Sequence, residues 1–317
     1  MTKLPICINI DDHTPYIHLY HYHIKARGSD KSPTTSYGAL MVDKVPYSFL
    51  ENFCDVCEEN GIMGKLSYVP CPAGLGDITR GIEGVSGSDL RKWMETVDTR
   101  LKGRFSFCAE MISHHYAYNV LNGSWLDINE DKWSRLNQTR GTMTPYIAHA
   151  LKILRDAGID ATGVTSPWMF GETVTDEYRA AIALAMRDVY GRTKSWHFTF
   201  SGDKHPEKYE PVKGLTVCSI NSTISDSFWA SLSSYDMSEE FVSGIADKYI
   251  TEDGSKGAII DKLALGLPVI MTAHWQSLFA NGHRTGLRAL EKIAQRVNSH
   301  LSDRVEWMNF DKLLERY

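Results

Sequence analysis

Cysteine is scarce in this 317-residue chain: Cys7, Cys54, Cys57, Cys71, Cys108 and Cys218 are its six. That is too sparse for a disulfide scaffold. Cys54 and Cys57 form a lone C-x-x-C inside a helical pattern, with no second pair to complete a zinc site, and read as core thiols. Long apolar runs are missing, since none approaches the ~18 residues that a spanning helix needs. The start, MTKLPICINIDD, lacks the basic end, apolar stretch and cleavage site of a signal peptide, so a cytoplasmic protein without a membrane partner is expected. An excess of one charge is missing too. Lys plus Arg number 34 against 39 Asp plus Glu, a net −5, so broad electrostatic binding of nucleic acid is not expected. There is no Gly-x-Gly-x-x-Gly after the first strand pattern and no Walker lysine loop, which weakens a nucleotide-binding reading.

Ordinary globular composition, 43% apolar and 23% charged, excludes a disordered or fibrous chain. Apolar runs of strand length alternate with amphipathic helices throughout. Strands are expected at Pro5–Ile10, Lys65–Val69, Phe105–Ile112, Ala161–Thr165, Ser195–Phe200, Leu215–Ile220 and Pro268–Ala273, with a last short one at Val305–Asn309. Helices are expected at about 46–60, from a Ser88 cap to Leu101, from Thr144-Pro145 to Gly158, and at 175–189, 238–249, 258–265 and around Leu287–Leu301. The polar segment Tyr118–Gly141 reads as a long excursion. Seven or eight strand–helix units in one chain predict an α/β fold. A (β/α)7-8 distorted TIM-like barrel in a single domain, 1–317, is the first choice and an open doubly wound sheet the second.

In such barrels the chemistry sits at the carboxyl ends of the strands. Those ends carry Asp11 and Asp12, His114 and His115, Pro167 and Trp168, Asn221 with Asp226 and Trp229 beyond it, and His274. Carboxylates and imidazoles converging on one rim suit a metal-assisted hydrolase. An Asp-Asp pair is also an ordinary turn, but here it follows the apolar run Ile6–Ile10. The tract HTPYIHLYHYH holds His13, His18, His21 and His23 and reads as a substrate-lining or structural loop rather than a second metal site. His197 and His205 flank the fifth strand. Eight tryptophans and fifteen tyrosines include Trp125, Trp133, Trp168, Trp229 and Trp275 at strand-end loops, where aromatic faces could stack on sugar rings. Trp93 and Trp307 read as core, and Gln276 as a donor to substrate.

Five short motifs make the chain resemble the polysaccharide deacetylase (NodB homology) family. Ile10-Asp11-Asp12-His13 is similar to its opening motif, Glu110-Met111-Ile112-Ser113-His114-His115-Tyr116-Ala117-Tyr118-Asn119 to its second, Thr165-Ser166-Pro167-Trp168 to its third, Asp226–Trp229 to its fourth, and Val269–His274 to its fifth. The resemblance implies a distorted (β/α) barrel of that type and hydrolysis of an N- or O-acetyl group on a carbohydrate. It implies Asp11 as general base, His274 as general acid, and a divalent ion, Zn²⁺ by first choice, on Asp12 and His114. It implies the Trp168 N–H as an oxyanion contact. Two positions depart from the pattern. Tyr118 occupies the second histidine slot, leaving Tyr118, Asn119 or His115 as a possible further ligand, or His274 in place of its role as acid. The arginine that braces the base is absent. Two alternatives remain: a glycoside hydrolase pairing Asp11 with Glu172 or Asp226, and a sugar-binding barrel without catalysis.

Overall fold

The computed structural model describes residues 2–26, 33–136 and 138–317. Nine strands form the main sheet: β1 Leu4–Asp11, β2 Gly64–Tyr68, β3 Phe105–Ala109, β4 Ala161–Thr165, β5 Lys194–Ser201, β6 Glu207–Val212, β7 Leu215–Ser222, β8 Val269–His274 and β9 Val305–Trp307. Their spatial order is β6-β7-β5-β4-β3-β2-β1-β8, with β9 pairing the first residues of β1. Every pair is parallel except the edge pair β6–β7. Helices cover the outer face, so strands are buried on both sides and read as near-continuous apolar runs. In β1, all residues but Leu4 are buried.

The sheet curls on itself. The chain leaving β7 donates from Thr223 N and Ile224 N to Ile270 O at 3.0 and 3.1 Å, and Thr272 N returns a bond to Ile224 O at 3.0 Å. Residues 223–224 thereby lie against β8, and the parallel strands curve into a TIM-like arrangement. The sheet's carboxyl ends then point to one rim.

Several boundaries differ from the sequence expectation. Strand β3 stops at Ala109 rather than Ile112, because Met111 and His114 take left-handed φ values of 48° and 55° and turn the chain. The helix Gly87–Leu101 is capped by Ser86, whose Oγ accepts from Asp89 N at 3.1 Å, not by Ser88. The helix expected from Thr144-Pro145 begins at Arg140, on a capping box between Thr139 and Thr142, and holds Pro145 inside it. The excursion is ordered: an antiparallel hairpin of Tyr116–Asn119 with Ser124–Asn129, then the short helix Glu130–Ser134. The histidine tract is not a loop throughout, since Leu19–Ala26 is helical. Strand β6 had no counterpart in the sequence reading. All six cysteines are buried and unpaired. Among the described residues no helix is long and apolar enough to cross a membrane.

Three histidines of the fold are held neutral. Trp93 Nε1 donates to His13 Nε2 at 3.0 Å. His21 N donates to His18 Nδ1 at 3.3 Å. His197 meets Ser219 Oγ inside the barrel wall. Burial lowers the pKa of each to about 3. The unfolded chain takes up these protons below pH ~6.5, whereas the native state does so only near 3. Each site therefore contributes stability that is fully present above pH ~6.5 and declines on acidification by about 1.4 kcal/mol per pH unit. Urea unfolding of His197→Gln between pH 6 and 4 should show a slope against pH about 1.4 kcal/mol per unit shallower than the parent; an unchanged slope would contradict a neutral His197.

Candidate functional site

Strands β1, β3, β4 and β8 bring their carboxyl ends around a pocket of about 270 Å³. Asp11 and Asp12 close β1. Asp12 turns with φ 62°, which sends its side chain away from that of Asp11. Glu110 and His114 follow β3, Trp168 follows β4 with φ 46°, and His274 ends β8. Left-handed backbone at non-glycine residues is uncommon and clusters where geometry is imposed by function.

At the floor, His114 Nε2 lies 2.9 Å from Asp12 Oδ1 and 3.3 Å from Glu110 Oε1. Asp12, Glu110 and His114 offer one ligand-type atom each, all within 4.8 Å of one another, and all three residues are buried. Asp12 Oδ1 has no hydrogen bond of good geometry among the described residues despite its nearness to the imidazole. The other oxygens are spoken for. Glu110 Oε2 accepts from Asp12 N at 2.7 Å and from Ser67 Oγ, and Asp12 Oδ2 accepts from Gln276 Nε2.

Burial alone would raise the Asp12 carboxyl, but the charge of His114 close by, with His274 and His23 behind it, holds it well below the usual range. Glu110 is raised, by burial first and then by the Asp12 and Asp11 charges. Burial opposes protonation of His114, and the two carboxylates overcome it, pushing its pKa well above that of a free imidazole.

Asp11 faces a different partner. Lys65, on β2 and 0% exposed, makes an ion pair with Asp11 Oδ1, and Asn9 Nδ2 donates to Oδ2 at 2.7 Å. Lys65 also reaches Thr165 Oγ1 on β4. A buried cation on β2 thus stands beside Asp11 and reaches across to β4. Across the pocket, His274 Nδ1 lies 2.7 Å from Asp226 Oδ2, which also accepts from His274 N at 3.1 Å and Ser277 Oγ at 3.0 Å. This leaves Nε2 as the free ring nitrogen. Burial would lower the His274 pKa, and Asp226 followed by Asp12 raises it to about 9.

Aromatic and imidazole rings wall the pocket. Trp168 lies over His114 at 4.4 Å between centroids, Trp229 over His274 at 5.0 Å, and Tyr20 meets Trp229 at 5.4 Å. His23 stacks on His114 at 4.9 Å, and its Nε2 lies 2.8 Å from His114 O.

Of the residues singled out in the sequence, Asp11, Asp12, His114, Trp168, Trp229, His274 and Gln276 all line this pocket. Gln276 Nε2 donates to Asp12 Oδ2, so it positions that carboxylate while lining the pocket. Tyr118 and Asn119 are not brought in. Tyr118 belongs to the hairpin, stacked on His149 at 5.1 Å, and Asn119 Oδ1 accepts from Leu121 N in the turn. His115 packs on Tyr116 at 4.0 Å, outside the group of ligand-type atoms. Glu172 and His205 are exposed, and His197 is buried in the wall. Asp226 reaches the site through His274. Trp275 is core against Phe49 and Phe53, and Trp133 stacks on Tyr146. His23, from the tract read as substrate-lining or structural, lines the pocket as well, whereas sequence reasoning missed Glu110, Lys65 and Tyr20. Glu110 stood four residues before His114, and Lys65 was a charge inside an apolar strand pattern.

No protein-family model and no curated protein matches the chain. Solved structures do. It is similar to a GH57-type branching enzyme from Pyrococcus horikoshii at 12% identity and TM-score 0.51, over 99% of this chain and 70% of that one. A 4-α-glucanotransferase from Thermococcus litoralis aligns at 12% identity and TM-score 0.44 over all of this chain, which spans 41% of that protein's length. A T48 deacetylase bound to substrate aligns at 9% identity and TM-score 0.41, over 86% and 87% of the two chains. The likeness to the branching enzyme shows a shared TIM-like fold.

Removing one partner of a buried ion pair strands the other charge, at a cost of roughly 3–5 kcal/mol. Lys65→Met should lose about that much by urea unfolding, and Asp11→Asn/Lys65→Met should recover more than half. Equal losses in the single and double variants would show that Lys65 does not brace Asp11.

Proposed function

We propose that the protein is a metal-dependent hydrolase that removes an acetyl group from a carbohydrate, of the polysaccharide deacetylase type. One observation carries this reading: two buried carboxylates and an imidazole converge with Asp12 Oδ1 left without a hydrogen bond of its own. One nitrogen and two oxygen donors suit a divalent cation of borderline to hard character. Asp12, Glu110 and His114 would hold it, with Glu110 in the place left open by Tyr118. Bound there, such an ion, Zn²⁺ by first choice, supplies Lewis acidity toward an acyl carbonyl and toward water.

The chain's own residues supply the rest. Asp11 takes the proton of the attacking water, with Lys65 holding the carboxylate in place. His274, fixed at Nδ1 by Asp226, carries its proton on Nε2 toward the leaving amine or alkoxide, and its raised pKa keeps that proton available near neutral pH. The backbone N–H of Trp168 contributes to the oxyanion contact. Trp229 and Tyr20 offer faces for a sugar ring.

A second reading has its own support. Asp12 with its pKa lowered beside Glu110 with its pKa raised resembles the split of roles that glycosidases use, and the branching enzyme shares the fold. Retaining pairs, however, stand ~5–5.5 Å apart with the sugar between them. Here the imidazole of His114 occupies that interval, which favours a cation.

Metal analysis of the purified protein should find close to one divalent ion per chain, and Asp12→Ala, Glu110→Gln and His114→Ala should each lose most of it. Asp11→Asn should cut acetate release from acetylated sugars by about 10²–10⁴-fold with the fold intact. Equal metal in all four proteins would end the metal assignment. New reducing ends without acetate would favour the glycosidase.

A further inference from the structure

Ten large apolar side chains are well exposed among the described residues: Leu40, Val42, Leu121, Trp125, Leu136, Trp168, Met169, Tyr235, Met237 and Leu265. All but Leu265 sit on connections leaving the carboxyl ends of the strands, the rim that holds the pocket.

Within that rim, three segments share a pattern. The segment after β1 lines the pocket with Tyr20 and His23 and later places Tyr37. The segment after β7 lines it with Trp229 and later places Tyr235. The end of β8 and the segment after it line the pocket with His274 and Gln276, and that segment later places His283. The three later rings meet. Tyr235 lies 5.5 Å from His283 and 6.0 Å from Tyr37, edge to face in both pairs.

Polar ties hold the segments together. Ser36 Oγ donates to Ser233 O at 3.1 Å, and Ser231 Oγ to Ser277 O at 2.6 Å. The Asn281 amide bonds both Val42 N at 2.9 Å and Leu40 O at 3.1 Å. Tyr235 is nonetheless 65% exposed. The Tyr37 hydroxyl is shielded from solvent and has no hydrogen-bond partner among the described residues. An aromatic cluster fixed by ties between three segments, outside the core and with one ring largely in solvent, offers a surface to a ligand with apolar faces.

We propose that Tyr37, Tyr235 and His283 form a second carbohydrate subsite, and that the substrate is an oligosaccharide or polysaccharide chain running from the pocket across this platform. The proposal rests on the carbohydrate reading of the pocket. Pyranose faces stack on aromatic rings, and rigid rings lose little entropy on binding. The pocket's ~270 Å³ falls below the ~300–1,000 Å³ typical of sites that enclose a drug-sized ligand. A longer chain must therefore lie on the rim.

Affinity electrophoresis tests this with the full-length protein in gels containing soluble starch, glycol chitin or acetylated xylan. The parent should be retarded in at least one gel. Tyr37→Ala/Tyr235→Ala should weaken that retardation at least fivefold, and the milder Tyr235→Phe should keep most of it. Leu265→Ala, exposed on the connection entering β8 at the opposite end of the sheet, should be retarded like the parent. Retardation in none of the gels, or equal retardation of parent and double variant, overturns the subsite. Binding of the parent to anionic phospholipid vesicles or its self-association, lost in Tyr235→Ala while no polysaccharide retards it, would assign the platform to a membrane or a second copy and also overturns it. A retarded parent that releases no acetate keeps the subsite and removes the deacetylase reading instead.

Discussion

Charges buried at the mouth of the barrel set the terms for the rest of the molecule. An ionised group withdrawn from water is costly unless it is paired and hydrogen-bonded. Here each one has an answer. His114 stands between Asp12 and Glu110, Lys65 meets Asp11, Asp226 meets His274, and Gln276 and Ser67 fill remaining lone pairs. The partners come from β1, β2 and β8 and from the connections after β1, β3, β7 and β8. No single segment of the chain can build the cluster, so it exists only once the sheet has curled.

That dependence gives the seam after β7 its weight. Thr223 and Ile224 pin one flank of the sheet to β8, and Asp226 sits two residues further on. The same short stretch that draws the sheet round delivers the carboxylate that fixes His274. The aromatic wall is tied in likewise. Trp168 rests on His114 and Trp229 on His274, so the rings that would meet a sugar are held by the groups that would act on it.

Much of this was legible in the sequence. The alternation of apolar strand runs with amphipathic helices placed eight of the nine main strands and the barrel-like plan, because parallel strands buried on both faces leave a strong apolar signature. The Asp11-Asp12 pair, His114, Trp168, Trp229 and His274 could be found because each follows such a run directly. Edge strand β6 was missed since EKYEPV is mostly polar and exposed. The hairpin at 116–129 carried an Asn122-Gly123 turn between aromatic-rich strands, a signal that the polar surroundings obscured. Lys65 and Glu110 went unread for another reason. Their meaning lies in what neighbouring strands place opposite them, and no spacing along the chain encodes that.

All nine non-glycine residues with left-handed backbone, Asp12, His114 and Trp168 among them, lie on connections at the carboxyl end of the sheet among the described residues. Each such conformation costs an L-residue of order 1–2 kcal/mol. Glycine at those positions would relieve the torsion and delete the very side chain that needs it. Selection for heat tolerance alone would push against this end of the barrel first. The opposite end takes its left-handed turns with glycine, Gly61, Gly103, Gly158 and Gly191 among them, and so carries none of this load.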